Sequence, residues 1–189
     1  MKKIVTITAL CCLPLGLALA DEADLQARVD NSKAAIAEFS GKLKGQLEAA
    51  MKEGGPVNAI GVCNTVAPIL ARESSAKYKV NVARTSLKAR NPANTPDAWE
   101  TKVLKTFEER KAKGEALDNM AYSEVVVTNG RKEFRFMKAI PVGEVCLKCH
   151  GENIDPVVKA KLIELYPGDK AVGYKLGDLR GAFTVRQGM

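Results

Sequence analysis

The chain has 189 residues, 29 Lys and Arg against 22 Asp and Glu, a net charge of +7, and five cysteines. That length suits a single domain with a sizeable core. The charge excess is mild, and the basic residues are scattered with no interleaved aromatics, which gives no basis for a nucleic-acid interface.

Met1-Lys2-Lys3 is a basic start, Ile4 to Leu19 is apolar apart from two threonines, Pro14 and Gly16, and Ala18-Leu19-Ala20 precedes Asp21-Glu22. This is the pattern of a secretory signal peptide cleaved after Ala20, and the apolar run is short for a membrane span. The expectation is therefore a leader over residues 1–20 and one domain over 21–189, periplasmic or otherwise exported, with no stable membrane span after cleavage. Cys11 and Cys12 leave with the leader; Leu10 stands where a lipoprotein signal needs a small residue. Loss of Lys2 and Lys3 lowers the net charge to +5. Cys63, Cys146 and Cys149 remain, and an odd number of cysteines in an exported protein calls for an explanation.

Residues 22–53 read as one long helix, with Leu25, Val29, Ile36, Phe39, Leu43, Leu47 and Met51 at steps of three, four or seven. Gly54-Gly55-Pro56 stops it. A second helix runs from Val57 to Ala76 with Ala59, Cys63, Val66, Ala67 and Leu70 on one face, and Pro68 is expected to kink it. Residues 78–86 alternate as a strand, and Arg90 to Pro96 is a turn-rich loop in which Asn91 and Asn94 read as turn formers. Asp97 caps a helix from Ala98 to about Lys113, ended by Gly114. Tyr122–Thr128 and Arg131–Ile140 flank Asn129-Gly130, the strongest short signal for a two-residue hairpin. A short helix follows from Asp155 to Leu165, and Gly181–Arg186 is a final strand. Helices alternating with antiparallel strands predict an α+β domain with helices packed on a small antiparallel sheet.

Between the hairpin and the last helix lies Cys146-Leu147-Lys148-Cys149-His150. Cys-x-x-Cys-His is the pattern of covalent haem attachment, in which two thiols add to the two vinyl groups and the adjacent histidine sits under the iron. A structural zinc site needs four ligands, and there is no second Cys-x-x-Cys. A thioredoxin-like pair is disfavoured because the motif follows a hairpin instead of opening a helix after a βαβ strand. The expected cofactor is one covalent haem c.

His150 is the only histidine, so the second axial position cannot be a histidine of this chain. Met137, in the strand entering the motif, is a minor candidate; Cys63, a lysine, water or an open position are the others. Cys63 sits among Ala59, Gly61 and Ala67, small side chains that leave room for a flat macrocycle. A metal-bound thiol is a thiolate, which favours Fe(III) and lowers the potential. The competing reading is a small buried hydrophobe.

Four stretches taken together, Gly61–Pro68, Arg84–Asn94, Cys146–His150 and Tyr166–Tyr174 continuing through Gly177–Ala182, resemble the Tll0287-like haem domain. The resemblance implies a PAS-like fold: a small antiparallel sheet flanked by helices, with a long N-terminal helix. It also implies axial ligation by a histidine and a cysteine thiolate, which fall on His150 and Cys63. In the matched polar stretch, Arg84 or Arg90 is expected to meet a haem propionate, since Arg pairs with carboxylates through charge-assisted bonds; Tyr166 and Tyr174 line the pocket or the core. Family domains fused to signalling modules point to a redox or gas sensor. No fused module is expected here, so an unknown redox or signalling protein partner is implied. The alternative is a plain low-potential electron-transfer cytochrome. An enzyme is not expected, because the sole histidine is already a ligand and no distal base is evident.

Overall fold

The computed structural model describes residues 15–128 and 130–189. The expected leader falls mostly on residues 1–14, and the first residue of the expected turn is Asn129; both lie outside the described residues. Helix α1 spans Leu15–Gly61 but is interrupted at Gly54 and Gly55. Gly55 has φ +68 and ψ −163, a backbone conformation that only glycine adopts readily. The break therefore sits where the Gly-Gly-Pro signal puts it. Among the described residues no helix is long and apolar enough to cross a membrane.

A π-helical turn, Val62–Val66, joins α1 to α2, Ala67–Tyr78. The expected kink at Pro68 takes this form. Proline has no N–H for the carbonyl four residues back, and the chain widens by one residue just before it, with the Ala67 N–H bonded to the Val62 carbonyl. Strand β1, Asn81–Thr85, follows. Helix α3, Ala98–Ala112, opens with a full capping box: Asp97 accepts from the Glu100 N–H, and Glu100 accepts from the Asp97 N–H. Strands β2, Ala121–Thr128, and β3, Arg131–Pro141, pair antiparallel with Thr128 opposite Arg131, which fixes the two-residue connection. Two short helices come next, α4 (Glu144–His150) and α5 (Pro156–Leu165). The last strand, β4, runs Leu179–Gly188, longer than the expected 181–186.

The four strands form one antiparallel sheet in the order β1-β4-β3-β2. The side-chain period of two divides it into two faces. On one face Val82, Phe134, Phe136 and Val185 pack against Ile36 and Phe39 of α1 and Leu70 of α2. Phe39 is 1% exposed and meets Phe183 edge-on at 5.8 Å between centroids. Gln187 Nε2 donates to Ser32 Oγ and to the Arg28 carbonyl, both at 2.8 Å, and so pins α1 across β4. On the other face Met137, Ala139, Leu179 and Ala182 pack under Val103, Leu104 and Phe107 of α3. This is the expected α+β architecture.

The α3 face also buries charge. Arg135 Nη2 donates to Asp97 at 2.8 Å and to Glu100 at 3.1 Å, its guanidinium lies 4.3 Å over the Trp99 ring, and Thr184 Oγ1 donates to Glu100 at 2.9 Å. Burial pushes the Asp97 carboxyl up, but the Glu100 N–H and the Arg135 guanidinium outweigh it and hold the pKa below the ordinary value. Its charge therefore adds stability above pH ~4, and that stability drains away as the pH falls below it.

Two outcomes follow. Phe39→Ala should lower unfolding free energy by about 3–5 kcal/mol in a denaturant titration, the loss expected for a fully buried aromatic; a loss below about 1 kcal/mol would remove Phe39 from the core. Asp97→Asn keeps the cap and loses the charge. It should cost ~1 kcal/mol at neutral pH, modest because the carboxylate is partly solvated, and the gap from wild type should shrink as the pH is lowered through 4 toward 2. A gap that stays constant with pH would contradict the charge assignment.

Candidate haem site

The strand β3 ends at Pro141, and the chain is caught at once by the loop before β4: the Val142 N–H bonds to the Asp178 carbonyl at 2.8 Å and the Gly177 N–H to the Val142 carbonyl at 2.9 Å. Helix α4 starts there. The motif thus does occupy a helix, one that sequence reading did not predict, though it is only seven residues long and is entered from an antiparallel strand. Helical spacing puts Cys146 and Cys149 on one face. Gly151 ends the helix, and only glycine fits, because a Cβ there would lie 2.6 Å from the Leu147 carbonyl oxygen.

His150 is fixed at Nδ1, by its ring contact and through its backbone. Its Nδ1 lies 2.7 Å from the Ala171 carbonyl oxygen. A carbonyl only accepts, so Nδ1 carries the proton and Nε2 keeps its lone pair. The ring stands edge-on to Tyr174, 6.3 Å between centroids. The His150 carbonyl accepts from the Tyr174 N–H at 3.0 Å, and the Gly151 carbonyl from the Gly173 N–H at 3.0 Å. Burial, then the nearby Arg180 and Arg90 charges, push the imidazole pKa down to about 2 despite the Ala171 carbonyl. The ring is neutral at working pH, the form that ligates metal.

Cys63 sits in the π turn and is half-buried. Insertion of one residue into a helix re-aims the side chains that follow it, and π turns recur at functional sites. A cavity of about 760 Å³, within the range of small-molecule and cofactor pockets, is lined by Cys63, Cys146, Cys149 and His150 together. Leu43, Leu47 and Met51 of α1, Ile60 and Phe183 supply apolar walls. All three cysteines are free thiols. Burial, reinforced by Cys63 and Cys146 and opposed by Arg90, raises the Cys149 pKa.

The two arginines of the polar stretch part company. Arg84, on β1, lines the cavity and lies 5.7 Å over the Phe39 ring. Its side chain makes no hydrogen bond or ion pair among the described residues. Burial presses its pKa below the ordinary value, against the pull of Cys63 and Tyr166. A desolvated guanidinium without a carboxylate is poised for an anionic ligand group. Arg90 also lines the cavity, but most of its fork is engaged elsewhere: Nε donates to Asp169 at 2.9 Å, and Nη2 to the Cys149 carbonyl at 2.6 Å and the Ala171 carbonyl at 3.2 Å. The expected propionate contact thus fits Arg84 better than Arg90, whose protein partners hold it in the motif's support.

Other expectations resolve by position. Met137 is fully buried in the α3 cluster on the opposite sheet face, away from the cavity. Met51 and Lys44 are the methionine and lysine at the cavity wall. Tyr166 lines the cavity, whereas Tyr174 backs His150. Asn91 accepts from the Ala93 N–H at 2.9 Å as a turn former, while Asn94 reaches the cavity. Sequence reading passed over Arg180 as a site residue. It lines the cavity, donates to Ser86 Oγ at 3.0 Å and stacks 5.5 Å over Tyr174; its place in the Gly177–Ala182 stretch was the available signal.

The donor set can be tested against the expected group. Among the described residues no three His, Cys, Asp or Glu side chains converge as a metal-binding group. Thiols and an imidazole instead line one large apolar cavity beside an unpaired cation. That arrangement fits a flat ligand that brings its own equatorial donors and its own carboxylates, and the residues present fit a haem.

The sequence model of the Tll0287-like family matches residues 18–187. Among solved structures, the crystal structure of the cyanobacterial heme-protein Tll0287 superposes with a TM-score of 0.64 at 22% identity, covering 86% of this chain and 96% of that one. That likeness establishes the shared fold. No curated protein matches the chain. By the extent of the family match, the chain belongs to the Tll0287-like family.

Proposed function

We propose that this protein is an exported monohaem c-type haem protein that senses a redox change or a gas. In this reading Cys146 and Cys149 carry the haem through thioether bonds, His150 and Cys63 are its axial ligands, and Arg84 meets a propionate. The observation that carries it is the shared cavity: the three thiols left after leader removal and the only imidazole, its Nε2 lone pair free, line one space of cofactor size. The solved relative is itself a haem protein. Export rests on the leader pattern of residues 1–20.

Bound haem would supply an iron that cycles between two oxidation states. The chain's own residues supply the rest. Ala171 fixes the tautomer of His150, the α1 leucines exclude water, and Arg84 neutralises acid groups brought into a dry pocket. Sensing is favoured over simple transfer because Cys63 sits on an irregular turn between α1 and α2, and α2 packs directly on β1. A ligand that leaves or returns there has a local two-state element to move and a sheet to receive the change. Electron transfer is the second reading. It is favoured by Val145 and Leu176, 48% and 60% exposed at the cavity wall, which would bring the cofactor's edge to the surface. We do not read the chain as an enzyme, because its one histidine serves as a ligand.

The protein produced with c-type haem maturation should keep its haem through denaturation and acid extraction. Cys146→Ala and Cys149→Ala should each shift the reduced pyridine-haemochrome band to a single-thioether position, and the double variant should lose covalent haem. Extractable haem in the wild type would sink covalent attachment. Reduction under carbon monoxide separates the two functions. A sensor should release Cys63 and bind the gas, with a large Soret shift, whereas a carrier should keep both ligands and give the same reduced spectrum with and without it.

A further inference from the structure

We infer that the Arg90–Asp169 ion pair is a positioning device for His150 that sets the electron-donor strength of its imidazole. This rests on the reading of His150 as an axial ligand and adds a role that ligation alone does not assign.

The Ala171 peptide is the centre of the device. Its carbonyl accepts from His150 Nδ1 at 2.7 Å and from Arg90 Nη2 at 3.2 Å. Its N–H donates to Asp169 Oδ1 at 2.7 Å, and Asp169 Oδ2 accepts from Arg90 Nε at 2.9 Å. Asp169, Arg90 and Ala171 therefore form a closed ring of hydrogen bonds. Arg90 makes a second attachment with the same Nη2, to the Cys149 carbonyl at 2.6 Å, which fixes the peptide that leads into His150. The pair is nearly dry, with the Arg90 and Asp169 side chains 8% and 11% exposed, so water screens the charges little.

The chemistry follows from how one carbonyl divides its lone pairs. A ligating histidine takes its basicity from the partner of its other ring nitrogen. A cation on the same oxygen draws density from it and weakens its acceptance from Nδ1–H. The imidazole then keeps less imidazolate character and donates less to iron. Removing the cation should strengthen the His150 hydrogen bond and favour Fe(III); removing the opposing carboxylate should leave the cation uncompensated and favour Fe(II). The two partners should thus move the potential in opposite directions. A purely structural ion pair would not do this, because loss of either side would loosen the same loop in the same way. Charges acting on the iron through space alone would give the same two signs but would leave the His150 Nδ1–H resonance at its wild-type position, whereas a changed hydrogen bond moves it.

The test is redox titration of the haem-loaded full chain. Arg90→Gln should lower the midpoint potential and the near-isosteric Asp169→Asn should raise it, each changing the oxidised-to-reduced ratio by about tenfold at fixed potential, or about 59 mV for one electron. Arg90→Lys keeps the charge but loses the paired geometry. It should leave the potential near the wild-type value while broadening the low-spin EPR signal as the ring loses its fixed orientation; if Arg90→Gln does not fold, that broadening and the upward shift in Asp169→Asn are the test. Unchanged potentials in both Arg90→Gln and Asp169→Asn, shifts of the same sign in the two, or an unmoved Nδ1–H resonance would overturn the inference with the haem reading intact. A wild type that binds no haem, or binds it without His150, would overturn that reading and this one together.

Discussion

The hydrogen bond from His150 Nδ1 to the Ala171 carbonyl is the constraint on which the site depends. With one histidine in the chain, one lone pair must be kept free and correctly aimed, and a backbone carbonyl does so without a titrating partner. It constrains much else. The carbonyl must reach a ring at the end of a seven-residue helix, so the segment from Asp169 to Tyr174 wraps the motif and is tied to it at His150 and Gly151. That segment must itself be held, and Arg90, arriving from the loop after β1, holds it. Three pieces of chain far apart in sequence meet at one imidazole.

The sheet makes this meeting workable by giving its two faces different tasks. The α3 face is a structural layer in which Arg135 and Thr184 bond to the carboxylates of Asp97 and Glu100 beneath a stacked tryptophan. The α1 face is left unfinished where the two-legged helix turns at Gly55 and again at the π turn. Between those breaks and the α4 helix lies the cavity, lined by Leu47, Met51, Ile60 and Cys63 on one side and Cys146, Cys149 and His150 on the other. Cys63 reaches it because Pro68 denies the helix a regular hydrogen bond and the turn before it widens. The irregularity that helix energetics would otherwise disfavour is where the thiol is presented.

Much of this was legible in the sequence because it is written in local chemistry. Asn129-Gly130 marked the hairpin, Asp97 and Gly114 bounded α3, Gly54-Gly55-Pro56 marked the break, and the spacing of Cys146, Cys149 and His150 singled out three residues that line one cavity. The small-residue face around Cys63 placed that thiol on a helix but left its role even between ligand and core. What was not legible is tertiary. Arg84 and Arg90 lie six positions apart in one polar stretch and looked alike; only the approach of Asp169, 79 positions on, separates a free cation from an engaged one. Met137 borders the motif in sequence, yet strand alternation turns it to the opposite face. The Ala171 carbonyl leaves no trace at all, since every residue has one.

The central claim is that the fold presents Cys63 to the same iron as His150. It is tested most directly by EPR and optical spectra of the oxidised haem-loaded protein beside Cys63→Ser. A low-spin ferric species with thiolate character is expected in the wild type, and its loss in the variant with the haem still attached through Cys146 and Cys149. An identical spectrum in Cys63→Ser would contradict the account; Cys63 would then be a wall of the cavity, and Met51 or Lys44, which also line it, would be the donors to replace next.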